Sequence, residues 1–308
     1  MSDISPDILE NIRKEFIRLF NDDPQIASLY AKIQSGKATY IDADAFARVL
    51  GDLLSIALSH NITEDILPDR KLYWNIAKSV IEPFLSDGYR IMVDFNSAVQ
   101  EILNVSSDVK LQVIVPKLNA DKVDGIITKL SNADNFREVQ WLLADPSYMQ
   151  NFCNSIVDDF VRENADFQYQ SGYNPVIIRV MHGKGCDWCR NLAGIYDYRK
   201  GVDRTIFKRH RGCACTVEYK CGKFSQNVYN KRLMDSSGNE LTRKQLEAMD
   251  VSTLTTKEAR ARQLAITTME NQENRAQRER LIQTLMEREN VDHRTAAIRF
   301  TRRLNGNS

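Results

Sequence analysis

The chain has 308 residues, 43% of them hydrophobic and 27% charged, with 13 Gly and 7 Pro. That composition excludes collagen-like, low-complexity and disordered classes, and the length is enough to bury a sizeable core in about two domains. The formal charge of +1 conceals an asymmetry: residues 1–179 carry 17 Lys and Arg against 26 Asp and Glu, whereas residues 180–308 carry 25 against 15, so the two halves are expected to meet different partners.

The opening stretch MSDISPDILENIRKEF is acidic where a secretory signal is basic, and no apolar run approaches the roughly 18 residues of a membrane span. The expectation is a protein made and kept in a reducing cytosol, with no membrane partner. Clustered cysteines there bind metal or do chemistry more often than they form disulfides.

The first half reads as helices. Ser5-Pro6 is a cap and first-turn pair, and Ile8, Leu9, Ile12, Phe16, Leu19 and Phe20 then recur at helical spacing. Asp42 is placed to cap a second helix bearing Phe46, Val49, Leu50, Leu53, Leu54 and Ala57. A third apolar region, Leu72 to Leu103, contains Pro83 and Gly88 and reads as one kinked helix or two. KLQVIVPKL is a candidate short strand, and FREVQWLLADPSYMQNFCNSIVDDFV returns to helix with a break at Asp145-Pro146. These stripes are core, with Cys153 as buried filler.

From QYQSGYNPVIIRVMHGKG onward the texture changes. Val176, Ile177, Ile178 and Val180, then GIYDY and CTVEY, read as three strands of a small sheet. Beyond Phe224 the chain is charged and helical, with capping boxes at Thr242/Gln245 and Thr255/Glu258. Its apolar residues are sparse, so this helix has little core of its own and projects or docks on a partner. Arg294, Arg299, Arg302 and Arg303 close the chain on a short amphipathic segment.

The sheet carries the chemistry. Cys186 and Cys189 form C-x2-C, and His210, Cys213 and Cys215 form H-x2-C-x-C about twenty residues later. Tetrahedral zinc takes four thiolate or imidazole ligands, and a C-x2-C turn supplies two from one backbone corner. The intervening loop, with Arg199, Lys200, Asp203 and Arg204, is too polar to close itself by burial, and metal binding is strong enough to organise it. The first ligand choice is Cys186, Cys189, His210 and Cys213. Cys215 is an alternative to Cys213 or His210, because residues two apart on a strand share a face. Cys221 is a weaker candidate, and unliganded cysteines or a disulfide are the plainer readings.

The signatures of zinc deaminases and zinc proteases are absent, as are the two glycine-rich phosphate-binding fingerprints. His182 is the one base near Cys186 in sequence. The predicted class is therefore α+β, mainly α: a helical body over 1–170, a small zinc-stabilised β module over 171–224, and a charged extension of polar helices over 225–308.

At these residues the chain resembles the Mu F-like minor head proteins of tailed bacteriophages, also called head morphogenesis or minor capsid proteins. Their pattern is a strand, C-x2-C, L-x-G with a following apolar or aromatic residue, a variable loop, then H-P-x-C-R-C leading into a last strand. Here VIIRVMHGKG, Cys186 with Cys189, LAGIY from Leu192 to Tyr196, and HRGCACTVEY take those places. The likeness covers about 45 residues, and the composite is far more specific than C-x2-C alone. Arg211 stands where the family has Pro and Ala214 where it has Arg, so any role of that arginine is absent or has moved to Arg209 or Arg211.

The resemblance implies a structural, non-enzymatic virion protein at the portal vertex inside the capsid, assembled in the host cytoplasm. Its implied partners are the portal protein or inner capsid surface, with packaged DNA meeting the basic C-terminal half. The alternative is a zinc-containing nucleic-acid-binding protein acting outside a virion, with Lys184, Arg190, Lys208, Arg209, Arg211 and Lys220 as phosphate contacts. A nuclease or ADP-ribosyltransferase toxin is a third reading.

Overall fold

The structure, a computed structural model, describes residues 3–107, 109–183, 185–198, 202–222, 225–226, 230–234, 239–251, 254 and 256–304. It is mainly helical with a small sheet, an α+β fold, and it divides into two compact units, Met1–Cys221 and Gly222–Ser308.

The first unit begins with α1 (Ser5–Asp22), α2 (Pro24–Gln34) and α3 (Tyr40–Asn61). In α1, Ile8, Ile12 and Phe16 are buried, while Leu9, Leu19 and Phe20 pack against the same core. Ser5 is already helical: the N-cap position falls to Ile4, which has no capping side chain, and the Ser5 backbone N–H donates to Asp3 Oδ1 at 3.0 Å. The second expected cap also shifts. Thr39 is the N-cap of α3, and its N–H donates to Asp42 Oδ2 at 2.9 Å, which closes a capping box from the third helical position.

Helix α3 is the centre of the unit, with Phe46, Leu50, Leu54 and Ala57 completely buried. Beside it run α4 (Trp74–Ser106), the single turn α6 (Trp141–Ala144) and α7 (Pro146–Gln170), and α5 (Ala120–Ser131) packs on α4. Helix α4 passes through Pro83 and Gly88 unbroken. Asp145 caps α7 through the Ser147 N–H, with Pro146 in the first turn, which is the expected break. Helix α3 comes close to α7 at Gly51, where an added Cβ would lie 2.5 Å from the backbone N and Cα of Gln150. Only a residue without a side chain permits that spacing.

The expected strand at KLQVIVPKL does not form; residues 109–119 have no regular structure. A strand needs a neighbouring backbone, and here a side chain substitutes for one. Asn164 of α7 accepts from the Ile114 N–H and donates to the Ile114 carbonyl, both at 2.8 Å.

The three strands expected after residue 173 do form: β1 (Asn174–Val180), β2 (Gly194–Asp197) and β3 (Thr216–Gly222), with the short helix α8 (Asp187–Leu192) between the first two. Their order is β2-β1-β3, and β1 pairs antiparallel with β2 in the register Val176–Asp197 and Ile178–Ile195. Sequence separated this module from the body at residue 170. In the structure Ile177, Ile206, Phe207, Val217 and Tyr219 lie in the same apolar core as the helices. Gln168 of α7 also donates to the Tyr219 hydroxyl at 3.1 Å. The physical reason is size: a three-stranded sheet has an apolar face too small to bury by itself.

The second unit holds the hairpin β4 (Ser225–Gln226) and β5 (Leu233–Met234), then α9 (Arg243–Glu247), α10 (Thr256–Glu289) and α11 (His293–Leu304). The Thr242–Gln245 capping box is present; Thr255 lies outside the described residues. As the sparse apolar residues foretold, its cores are small: Leu233, Leu241, Leu246, Ala265 and Ile266 form one, and Ile282, Leu285 and Ala296 the other. Arg243 straps α9 to α10 through Glu270 and Glu273, both at 2.9 Å. Arg299 pairs with Glu289 at 2.5 Å. Among the described residues no helix is long and apolar enough to cross a membrane.

Two measurements test this packing. Gly51→Ala should destabilise the first unit by about 1–3 kcal/mol, read from its urea midpoint, because the clash is with backbone. In single-tryptophan variants retaining Trp74 of α4 or Trp188 of α8, the two fluorescence transitions should coincide, since body and sheet share one core.

Candidate metal centre

The C-x2-C pair sits at the start of α8. Cys186 is its N-cap with extended backbone, and Cys189 is three residues on, which turns both thiols to the same end of the helix. The second group is held by a tight turn in which the Cys213 N–H donates to the His210 carbonyl at 3.1 Å. That turn requires Gly212 at φ +68°, a left-handed conformation that glycine adopts without strain. Cys215 follows directly before β3.

The five predicted ligands gather in two overlapping sets. His210 Nε2 lies 3.0 Å from Cys189 Sγ and 3.4 Å from Cys186 Sγ, and Cys189 Sγ lies 3.7 Å from Cys213 Sγ. Cys186, Cys189 and His210 form one set of donors within 4.8 Å of each other, and Cys189, Cys213 and Cys215 form a second, so Cys189 belongs to both. For zinc bonded to sulfur at about 2.3 Å and to nitrogen at about 2.0–2.1 Å, the tetrahedral edges are about 3.8 Å for S–S and about 3.6 Å for S–N. The Cys186–His210 and Cys189–Cys213 separations lie close to those edges and the Cys189–His210 separation is shorter than its edge, and these residues could hold a metal ion. Cys189, Cys213 and Cys215 are buried while Cys186 is exposed, so the cluster opens to solvent on one side.

The surroundings fit that use. His210 Nδ1 is 2.8 Å from the Arg211 carbonyl, which can only accept, so the proton sits on Nδ1 and the Nε2 lone pair faces the sulfurs. Burial and the neighbouring thiols push the Cys189 thiol well up, whereas backbone N–H groups at the start of α8 draw Cys186 down. A divalent cation would displace the protons that burial retains.

Arg179 of β1 is 1% exposed. It donates through Nη1 to the Ile206 carbonyl at 2.5 Å and through Nη2 to Cys213 Sγ at 3.7 Å, and its guanidinium lies 5.4 Å from the Trp188 ring centre. No carboxylate among the described residues is within ion-pair distance of it. A buried guanidinium demands a compensating anion, and the sulfur cluster is what it faces.

A second buried network, absent from the sequence reading, joins this site to the helices. Arg209 holds Asp158 of α7 through Nε at 2.5 Å and Nη2 at 2.9 Å, meets Asp44 of α3 at 2.9 Å, and donates through Nη1 to the Cys215 carbonyl at 2.6 Å. Arg48 donates to Asp44 Oδ2 at 2.8 Å and to the Ala214 carbonyl at 3.0 Å. The side chains of Asp44, Asp158 and Arg209 are all about as buried as core apolar groups. Burial works against the Arg209 charge, but Asp158 and Asp44 outweigh it and hold the guanidinium above the ordinary arginine range. The available signal was a carboxylate inside each apolar helix stripe, Asp44 before Phe46 and Asp158 after Val157.

The remaining candidates go elsewhere. His182 Nε2 is 3.1 Å from Thr216 Oγ1 rather than beside Cys186. Cys153 is buried in α7, as expected. The Cys221 side chain and Lys184 lie outside the described residues. Of the basic residues suggested for phosphate, Arg209 is consumed by carboxylates, Arg190 pairs with Asp187, and Arg211 bonds the Tyr148 hydroxyl at 3.0 Å and stacks on Trp141 and Tyr148. No disulfide occurs among the described cysteines. No family model, curated protein or solved structure matches the chain.

Replacing Arg209 by Met should cost about 3–5 kcal/mol in urea denaturation, because two buried carboxylates lose their shared counter-charge. A Lys at the same position should restore only part of it, lacking the bidentate geometry.

Proposed function

We propose that the cluster is a structural zinc site and that the protein is a minor capsid, or head morphogenesis, protein of a tailed bacteriophage. The ligands in this reading are Cys186, Cys189, His210 and Cys213, with Cys215 the alternative fourth. The observation that carries it is the convergence of both halves of the composite motif on Cys189, with a buried Arg179 facing the sulfurs. With five protein donors in two overlapping sets that share Cys189, the chain can fill the positions of a tetrahedral ion, which suits a structural role rather than a catalytic one. The metal then closes residues 186–215 against the sheet, while Arg209 fastens that closed loop to α3 and α7.

The capsid assignment rests on the motif order together with a helical body before it and a charged helical extension after it. Its partners would be the portal protein or the inner capsid surface, with DNA a candidate for the basic second unit. Free nucleic-acid binding by the module is the weaker reading, because Arg190, Arg209 and Arg211 are already engaged within the chain.

Elemental analysis of protein produced in zinc-supplied medium should find about one zinc per chain, falling to near zero in Cys189→Ser. That variant should also be cleaved faster by protease between Met181 and Tyr219. Full-length protein without zinc would end the metal reading. For the capsid reading, mass spectrometry of purified phage particles should detect this chain at far fewer copies than the major capsid protein; its absence from the particles would overturn the assignment.

A further inference from the structure

A cavity of about 630 Å³ opens in the first unit between α5, the α6–α7 corner and residues 204–209. That is the size of a ligand site rather than a packing defect. Its walls are largely apolar, with Ile126, Leu130, Leu142, Met149 and Phe207 among them. The charges around it do not balance. Asp158 is taken by Arg209, and Asp159 pairs with Arg162 at 2.8 Å. Lys122, Lys129, Arg204 and Lys208 also line the cavity, and none of them has a carboxylate within ion-pair distance among the described residues. Lys129 instead donates to the neutral Tyr148 hydroxyl at 3.0 Å.

The wall formed by α5 has a second unusual feature. Lys122, Gly125, Ile126 and Lys129 are spaced i, i+3, i+4 and i+7, one face of the helix, and all four line the cavity. Glycine weakens a helix interior more than any residue except proline. Here no packing need explains it, since an added Cβ would meet nothing within 4 Å, and its backbone is ordinary helix. What Gly125 does is leave the wall open between two lysines.

We propose that this cavity docks an acidic peptide segment of a partner protein, one that inserts apolar side chains and places carboxylates on the surrounding lysines and arginine. Lys122 and Lys129 are about 10 Å apart along the helix axis, too far for a single anionic head group to satisfy both. A segment with acidic residues on either side of an apolar anchor satisfies them together, and Arg204 and Lys208 add two further contacts. This inference is independent of the metal and capsid readings.

The probe is a displayed library of random 12-residue peptides, selected against the full chain, followed by anisotropy titrations with the best enriched peptide. Enriched sequences should carry at least two Asp or Glu around Leu, Phe or Trp, and binding should weaken as salt is raised. Gly125→Leu should weaken binding at least tenfold by filling the wall, and Lys122→Glu with Lys208→Glu should do so by charge reversal. Gly125→Ala, which adds a methyl to open space, should raise the melting temperature and serves as the folding control. No enrichment, enrichment of basic or neutral peptides, or affinity unchanged in both the filled and the charge-reversed variants would overturn the proposal. Displacement of the peptide by micromolar sodium dodecanoate would also overturn it, by assigning the cavity to a small amphipathic anion.

Discussion

The ion pair of Arg209 with Asp158 and Asp44 is the constraint on which the rest of the first unit depends. The HRGCAC segment has almost no apolar side chains with which to hold itself against the helices. Burial of a guanidinium between carboxylates from α3 and α7 supplies the attachment, and the hydrogen bond from Arg209 to the Cys215 carbonyl makes it specific for register. A pair of this kind contributes little net stability relative to an apolar contact of the same volume, but mismatching it is costly. Its effect is therefore to select one docking geometry, with His210 and the cysteines carried on either side of the anchored residue.

That geometry brings a second charge problem to the same place. Asp44 and Asp158 are balanced by Arg48 and Arg209, which leaves Arg179 buried with only carbonyl oxygen and sulfur as acceptors. The first network pairs two carboxylates with two guanidiniums, while Arg179 faces the sulfurs. A divalent ion held by three thiolates and one imidazole would give the cluster a net charge of −1, opposite in sign to Arg179. Trp188, packed on both Arg179 and His210, shields this side from water and strengthens the attraction.

The cavity shares a wall with the same clamp. Arg209 and Asp158 lie along it, so the surface that a partner would occupy and the anchor of the cysteine segment are mechanically continuous. Arg211, the residue standing where the resembling family has proline, stacks on Trp141 and Tyr148 beside that cavity. It therefore has a packing role of its own.

Local pattern determined what depends on near neighbours: the helical stripes of α1 and α3, the Asp145-Pro146 break, the three strands, the Thr242 capping box and the spacing of five metal-ligand candidates. Each is a matter of residues close in sequence, the C-x2-C and H-x2-C-x-C halves taken separately, where periodicity and side-chain chemistry act directly. Tertiary structure decided what depends on distant residues. KLQVIVPKL is an apolar run suited to a strand, yet it is the side chain of Asn164, fifty residues away, that satisfies Ile114. The small sheet joined the helical core because its own apolar face was too small to stand alone. Arg209 read as a surface cation because Asp44 and Asp158 are far from it in sequence. Burial converts an ordinary exposed charge into a fixed anchor only when the chain brings its counter-charges to it, and no local window contains that information.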